Sequence, residues 1–576
     1  MDAIAIDIET TGRNPRLGDK IFAFCVAYND GTVEVYRHNF RPHLQHFLNS
    51  HREIICHYSK FERAFFKYEN YNTEKVFWHD TVLMSQLLSN LEPSHGLDNL
   101  AYKYCGYPKD QDEELEEYLK GCNNQWEQVP EDIMHRYQVA DGERTMLLYK
   151  IMRPYFTGKL WDDYRNEIAL IDVALEMEHN GIKIHYENAQ ELLKWLLKEK
   201  EKLVFDVYNK LGEYINLGSE KQLSQLLFGQ LGYKPTVFTE KGNPSTDKNV
   251  LVEMRESARD KLLFNLILKW RSYTTGIANI KNYLSRIDNR FILRTTINTN
   301  QARTGRQSSS KPNLQNIAKE EVLQNPYPVP MRKVFCARRN HFLILFDYKS
   351  IELYLMAIIT NCRFYKEKFL AGEDIIRRSA EIFYGKEFLD SLPAHTFETY
   401  RSAAKNATYA LQYGAGADRL SVTLKMTLNQ ANEAIERYRA VAPELVNFSH
   451  TVASQVKAQG YVTTIFGRRL RINQTKVFSA ANYLIQGTAA GVFKRAQVQL
   501  YKYFKLKYNE IKILLPIHDE LICEAPVCLY SDLDTIIKGA KEEVENIDWV
   551  SLRLRTSWRT TFTNWAEAKK YENKTC

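Results

Sequence analysis

The sequence predicts a multidomain α+β protein, with a small N-terminal α/β domain joined to a larger α+β domain that carries a helical insertion. Three observations predict it. The chain has 576 residues, too many for one core at roughly 100–200 residues per domain. Residues 1–155 alternate short β-like apolar runs with helical stretches. Further on, an apolar strand ending in an acid and an apolar hairpin with an acidic turn flank a long helical block at about 363–457.

Composition narrows the class. With 44% hydrophobic and 26% charged residues, the chain reads as an ordinary soluble protein. Lys+Arg number 78 against 70 Asp+Glu, and the pI is about 8.7, which suits a polyanionic partner without identifying one. The nine cysteines are scattered with no CxxC pair, so neither a disulfide framework nor a zinc site is expected. Met1-Asp2-Ala3-Ile4-Ala5-Ile6 is interrupted by an acid too early for a signal peptide, and no apolar run approaches the roughly 20 residues of a membrane span. A soluble, cytoplasmic protein with reduced cysteines and no membrane partner is expected.

The first domain is expected to place strands at 3–8, 21–28, 32–36 and 54–56. Asp7 and Glu9 stand at i and i+2 of the first run, so strand periodicity puts both carboxylates on one face, where they can share divalent metal. The same run also suits an edge strand with solvated acids. On a helix, Tyr137 and Asp141 are i, i+4 neighbours and point the same way. Lys60-Phe61-Glu62-Arg63 supplies a further acid after the apolar Ile54-Ile55-Cys56, whereas Asp80 is read as structural.

These three pieces resemble the motifs of DEDD-type 3′→5′ exonucleases, tyrosine subclass, on a ribonuclease H-like fold. The resemblance covers about residues 1–150. It implies that Asp7, Glu9, Glu62 and Asp141 hold two metal ions while Tyr137 orients the attacking water. Two departures stand out: Glu62 replaces the usual Asp, and Tyr58 replaces an Asn four residues earlier.

From about 160 to 290 the pattern is helical, broken by a turn-rich patch at 239–248, and from 291 to 350 it becomes strand-like. Phe342-Leu343-Ile344-Leu345-Phe346 reads as a buried strand running into Asp347-Tyr348-Lys349-Ser350-Ile351-Glu352. A hairpin near 511–525 carries His518-Asp519-Glu520 at its turn, so strand and hairpin tip can bring Asp347 and Asp519 together across a sheet. Two unrelated loop acids are the alternative. In the helical block, Arg401, Lys405 and Tyr409 fall at i, i+4 and i+8 on one face. That line of cations and a ring suits a triphosphate with a stacked base, or a solvated basic face.

Thr304-Gly305-Arg306-Gln307-Ser308-Ser309-Ser310 with Pro312-Asn313-Leu314-Gln315-Asn316, the Asp347–Glu352 block, the Arg401/Lys405/Tyr409 helix, Gln486-Gly487-Thr488-Ala489-Ala490 and His518-Asp519-Glu520 together resemble the ordered motifs of family A DNA polymerases, the DNA polymerase I family. The match spans roughly 160–576, including Glu176-Met177-Glu178-His179-Asn180-Gly181. It implies an exonuclease domain at 1–155 and a polymerase domain at 156–576, with palm about 160–185, 291–362 and 458–576, thumb about 186–290 and fingers about 363–457.

The resemblance further implies that Asp347, Asp519 and the backbone carbonyl of Tyr348 hold two Mg²⁺ ions, with Mn²⁺ as a substitute, for in-line phosphoryl transfer. Arg401 and Lys405 would bind the triphosphate, with Lys405 as proton donor to pyrophosphate. Tyr409 would stack at the nucleotide, Tyr413 would guard the templating position and Glu352 would exclude a 2′-hydroxyl. His518 would lie at the primer terminus, with Arg306, Gln315, Asn482 and Gln486 along the duplex minor groove. Tyr at 409 implies ready acceptance of dideoxynucleotides.

Here too the chain departs from the family. Ile376 takes the place of a phosphate-binding His, with Arg377 and Arg378 beside it, and Gly491 the place of an Asp. Lys269, Arg271, Lys281 and Arg286 are the basic side chains expected near DNA in the thumb. Implied partners are primer-template DNA and deoxynucleoside triphosphates, with single-strand-binding protein and helicase-primase beyond them, for a monomer serving phage DNA replication in a bacterial host. No 5′-nuclease domain is expected before the first strand. Gap-filling repair, a single-subunit RNA polymerase and a non-catalytic or exonuclease-only nucleic-acid binder are the alternatives. Glu352 and the exonuclease motifs speak against the second, and the retained Asp347, Lys405 and Asp519 against the third.

Overall fold

The computed structural model describes residues 3–108, 113–317 and 327–571. Its N-terminal part is a five-stranded sheet of β1 (Ile4–Thr10), β2 (Ile21–Ala27), β3 (Val33–Tyr36), β4 (Glu53–Cys56) and β5 (Phe77–Asp80), in the order β3-β2-β1-β4-β5. The first three strands form an antiparallel meander, and β4 and β5 add in parallel. Because β1 stays paired with β2 as far as Thr10, the strand runs two residues past the expected end at Ile8 and includes Glu9. Helices α1 (Lys60–Tyr68), α2 (Thr81–Leu88) and α3 (Glu131–Met152) cover this sheet over a core that includes Ile6, Phe24, Phe65 and Trp78. Asp80 behaves as a structural acid: it caps α2 by accepting from the Leu83 amide at 2.8 Å, and accepts from the Ser59 amide and hydroxyl at 2.7 and 2.9 Å.

Helix α4 (Gly158–Asn180) leads into the larger part and ends at Gly181, whose positive φ and closeness to the Leu293 carbonyl exclude a Cβ. Helices α5 (Tyr186–Leu211) and α6 (Lys261–Leu284) pack along each other and share a satellite core around Leu223, Phe264 and Ile267. Of the four basic residues expected near DNA here, Arg271 is turned inward, donating to the carbonyl of Thr246, and Arg286 donates to Asn282 Oδ1 at 2.7 Å. The 291–350 stretch is less strand-like than its sequence suggests, because the described residues 299–307, 311–317 and 327–330 form no strand. It contributes the short hairpin of β6 (Thr296–Asn298) and β7 (Ser308–Ser310), then β8 (His341–Tyr348).

The central sheet follows. Strands β9 (Lys512–Ile517), β10 (Glu520–Pro526), β11 (Thr556–Thr561) and β12 (Lys569–Lys570) join β8 in the order β9-β10-β8-β11-β12. Strand β8 is central and its run Phe342–Phe346 is buried on both faces, as the unbroken apolar sequence requires. One face carries α9 (Ala480–Lys507), against which Phe346 packs through Phe493. Helix α7 (Ile351–Ile359) directly follows β8, and α8 (Ala394–Gln412) lies within the helical insertion.

Small residues on α9 set a close approach. A Cβ at Gly491 would lie 2.6 Å from the Phe466 ring, and that ring also carries the Arg495 guanidinium at 3.6 Å. Arg495 pairs in turn with Asp163 on α4 at 2.9 Å, so an acid from another helix meets this cation. Gly491→Asp is therefore expected to destabilise the fold by about 1–3 kcal/mol through overpacking. Urea unfolding monitored by circular dichroism checks this, and a midpoint at or above that of the parent chain would contradict it.

Candidate active sites

Two cavities hold most of the residues singled out in the sequence. The first, of about 700 Å³, opens at the C-terminal half of β1 and is lined by Asp7, Glu9, Glu62, Tyr137, Tyr58 and Trp126. Asp7 and Glu9 share a face of β1, Glu62 stands in the first turn of α1, and Tyr137 and Asp141 lie one turn apart on α3. Asp141 sits behind the lining. It is buried, pairs with Arg144 at 3.2 Å, and Arg144 also meets Asp98 at 2.7 Å. Tyr58 adopts a left-handed backbone (φ +75°) that holds its half-open ring on the rim.

The electrostatics are those of crowded, buried acids. Burial pushes the Asp7 carboxyl up to about 7. Burial first, then the charges of Asp7 and Asp141, push Glu9 well above the carboxylate range, and burial with Asp7 does the same for Glu62. Burial and Asp141 raise the Tyr137 phenol, which keeps it protonated and able to donate. Glu9 Oε1 and Glu62 Oε2 are buried with no hydrogen-bond partner. Among the described residues no three His, Cys, Asp or Glu side chains close into a metal-holding cluster. The acids line a shared space instead, and orphaned carboxylate oxygens around such a space fit a hard divalent cation, whose natural ligands are oxygens.

The second cavity, of about 480 Å³, lies at the end of β8. Antiparallel register places Asp347 opposite Glu520, so Asp519, one residue earlier in the tight turn between β9 and β10, stands beside it. Asp347, Tyr348, Glu352, Lys405, Tyr409, His518, Asp519, Arg306 and Gln315 all line this space. The Tyr348 side chain points into the core, its hydroxyl donating to the Val544 carbonyl at 2.5 Å. Glu352 accepts from the Tyr413 hydroxyl at 2.9 Å and faces Arg306 at 3.4 Å. Burial and the Glu352 charge raise the phenols of both Tyr409 and Tyr413. The two carboxylates fit the same oxygen-ligand chemistry as those of the first cavity.

Other expected residues stand apart. Arg401 shares a helix face with Lys405 but is held by Asp374 at 2.9 Å, away from the lining. Gln315 spends its amide on the hairpin, donating to the Pro516 carbonyl at 2.7 Å and accepting from the His518 amide at 3.2 Å. Asn482 and Gln486 lie on α9 outside the lining. Ile376 is core, while Arg377 pairs with Asp390 and Arg378 with Glu381, both at 2.6 Å.

Sequence reasoning passed over Lys494, which lines the second cavity yet is almost fully buried. Its ammonium donates to Glu167 at 2.6 Å, and Arg468 approaches the same carboxylate at 3.5 Å. Burial lowers the Lys494 pKa, opposed by Glu167. The available signal was a pair of cations, Lys494-Arg495, inside the apolar run from Val492 to Ala496. Glu520 was passed over as a core acid: it is buried beneath the hairpin by Arg559 at 2.7 Å and Trp565 Nε1 at 2.8 Å.

The raised acids set a pH dependence. Asp7 and Glu9 hold their protons more tightly in the fold than in the unfolded chain, whose carboxyls titrate near about 4. Their contribution to stability is therefore full below about pH 4 and is lost as pH rises through about 7, the folded value of Asp7. Metal-free protein is expected to lose stability across this window, by the order of a few kcal/mol, and Asp7→Asn to flatten that slope. Magnesium should restore stability at the alkaline end in the parent chain more than in Asp7→Asn. Thermal melts across pH with and without magnesium check this, and identical flat profiles for both chains would refute it.

Comparison with known proteins matches the two parts of the chain to two families. The family described as 3′-5′ exonuclease matches residues 1–156, and DNA polymerase family A matches residues 186–567. The chain is 30% identical to a thermostable DNA polymerase I of Thermus filiformis, over 77% of this chain and 53% of that protein. It is also 30% identical to DNA polymerase I of Treponema pallidum, over 92% of this chain and 50% of that protein. The chain thus spans about half the length of these curated relatives. A solved structure titled as the POL domain of Pol1 from M. smegmatis, in complex with DNA primer-template and dNTP, superposes with a TM-score of 0.80 at 23% identity, covering 98% of this chain and 96% of that one. That likeness shows a shared fold. The central-sheet cavity, the acid-lined cavity of the N-terminal sheet and these matches together show that the chain belongs to DNA polymerase family A and carries a 3′-5′ exonuclease domain.

Proposed function

We propose that the chain performs template-directed DNA synthesis from deoxynucleoside triphosphates at the second cavity and 3′→5′ proofreading at the first, in the service of DNA replication. One observation carries the reading: the β8–β10 register that sets Asp347 beside Asp519, facing Lys405 and Tyr409 across one cavity. Magnesium, with manganese as a substitute, would be held by Asp347, Asp519 and the Tyr348 carbonyl in one site and by Asp7, Glu9, Glu62 and Asp141 in the other, supplying Lewis-acid stabilisation of phosphoryl transfer.

The chain's own residues do the rest. Lys405, exposed on α8, binds the triphosphate and is placed to give its proton to the departing pyrophosphate. Arg401 joins it on releasing Asp374. Tyr409 offers its ring to the incoming base. Glu352, braced by Tyr413 and Arg306, walls the sugar and leaves no room for a 2′-hydroxyl. Arg306 reaches the duplex beside the new pair and His518 meets the primer end, while Gln315, bonded to the hairpin, holds the turn that bears His518. Asn482 and Gln486 extend the duplex contact along α9. In the exonuclease site the protonated Tyr137 donates its one proton to Asp141, which fixes the phenol, and orients the attacking water by accepting from it. Primer-template DNA and deoxynucleotides are the proposed partners.

Separate knock-outs test the division of labour on a labelled primer-template. Asp347→Ala is expected to lower extension by at least about a hundredfold while sparing degradation, and Asp7→Ala to do the reverse. Extension surviving Asp347→Ala would sink the assignment of that site. Tyr409→Phe is expected to make extension resist dideoxynucleotide termination, read as longer products at equal inhibitor. Equal product lengths in both chains would remove Tyr409 as the determinant.

A further inference from the structure

Arg306 sits at the end of a loop, residues 299–307, that joins β6 to β7 and has little core of its own. Side chains of the N-terminal domain fasten both ends of the stretch from Ile297, in β6, to Arg303, in the middle of this loop. At the start, Lys60 Nζ donates to the Ile297 carbonyl at 2.6 Å and to Glu178 Oε1 at 2.5 Å. The same Glu178 oxygen accepts from the Ile297 amide at 2.5 Å. At the far end, Asn90 Nδ2 donates to the carbonyls of Arg303 at 3.0 Å and Arg471 at 3.1 Å, while its Oδ1 accepts from the Arg471 amide at 2.7 Å. A carboxamide matches two acceptors and one donor in only one orientation, so Asn90 specifies where Arg303 lies. Gly305, in a left-handed turn, then leads to Arg306 and its contact with Glu352 on the cavity wall.

We propose that Lys60 and Asn90 of the exonuclease domain are positioning residues for the polymerase site: they hold the loop so that Arg306 is set in advance to meet the duplex at the primer terminus. This rests on the reading of Arg306 given above. A loop ordered before DNA arrives does not lose its backbone freedom on binding, which raises affinity without any new contact. Domain docking has other fastenings: between α1 and α4, Arg63 with Asp172, Lys67 with Glu176 at 2.8 Å and Tyr68 with His179 at 2.9 Å, and from β5 the Asp80 amide donating to the Tyr164 hydroxyl of α4 at 2.9 Å. Asn90 takes no part in these, and its bonds fall on loop and strand backbone alone. Its role is thereby separable from holding the domains together.

The test is a double-mutant cycle on the full chain, read by anisotropy of a fluorescein-labelled primer-template in EDTA. Asn90→Asp keeps the shape but turns an oxygen toward two carbonyls, and Asn90→Ala simply removes the amide. Each is expected to weaken duplex binding by about tenfold, as for loss of one specific contact, with melting temperature and degradation of a single-stranded oligonucleotide unchanged. Arg306→Ala is expected to weaken binding similarly, and its combination with Asn90→Asp to add little beyond either alone. Unchanged binding in both Asn90 variants, or fully additive losses, would overturn the proposal. So would a parallel loss of single-strand degradation, which would make Asn90 a docking residue. Should Arg306→Ala alone leave binding intact, the reading of Arg306 fails, and a loss in Asn90→Asp then also counts against positioning through this loop.

Discussion

The antiparallel register of β8 against β10 is the constraint on which the larger domain depends. Strand β8 is apolar on both faces and must be central, so the only place its chain can present a carboxylate to solvent is its end, at Asp347. Pairing with β10 then brings a second acid, Asp519, to the same edge through the turn. Two acids held together there repel each other, and the fold retains them because hydrogen bonds and packing over-determine the strands beneath. Glu520, one residue on, points the other way as side-chain alternation requires and is neutralised by Arg559, with Trp565 donating to it.

Buried ion pairs are the second principle of this structure. Glu167 and Asp163 on α4 receive Lys494, Arg468 and Arg495, tying the helix that leaves the N-terminal domain to the long helix under the central sheet. Removing one partner would strand a charge in the core, so these pairs hold α4 and α9 to one relative placement more strictly than apolar packing would. The N-terminal domain is fastened to the same α4 through Lys60, Arg63 and Lys67. One helix therefore takes the load of both cavities, and the acids of the first are referenced to the sheet of the second through charged contacts.

Legibility differed between the two domains for a physical reason. Strands β1 to β4 of the small domain, the shared face of Asp7 and Glu9 and the pairing of Tyr137 with Asp141 were legible because strand alternation and helix spacing are local rules. Strand β5 was not expected, and Glu62 entered through the family resemblance. That Glu9 and Glu62 would be left with orphaned oxygens, or that Asp141 would pair with Arg144, was not legible, because burial and pairing depend on which elements come to lie above. In the larger domain Lys405 and Tyr409 were legible as one helix face, yet Arg401 on that same face is drawn off by Asp374 from a separate helix. Ile376 belongs to the core and the arginines beside it are engaged by Asp390, Glu373 and Glu381, so the basic character of that segment is spent locally.

The sequence by itself determined the two sets of acids, the central strand, the hairpin and the family motifs, since each is written in short-range spacing and residue type. Only the tertiary structure decided which side chains share a cavity, which are consumed by partners, and that the exonuclease domain clasps the loop leading to Arg306. Those are contacts between residues hundreds of positions apart, such as Asn90 with Arg471. No local rule couples such residues. Their meeting follows from how the two domains settle on α4.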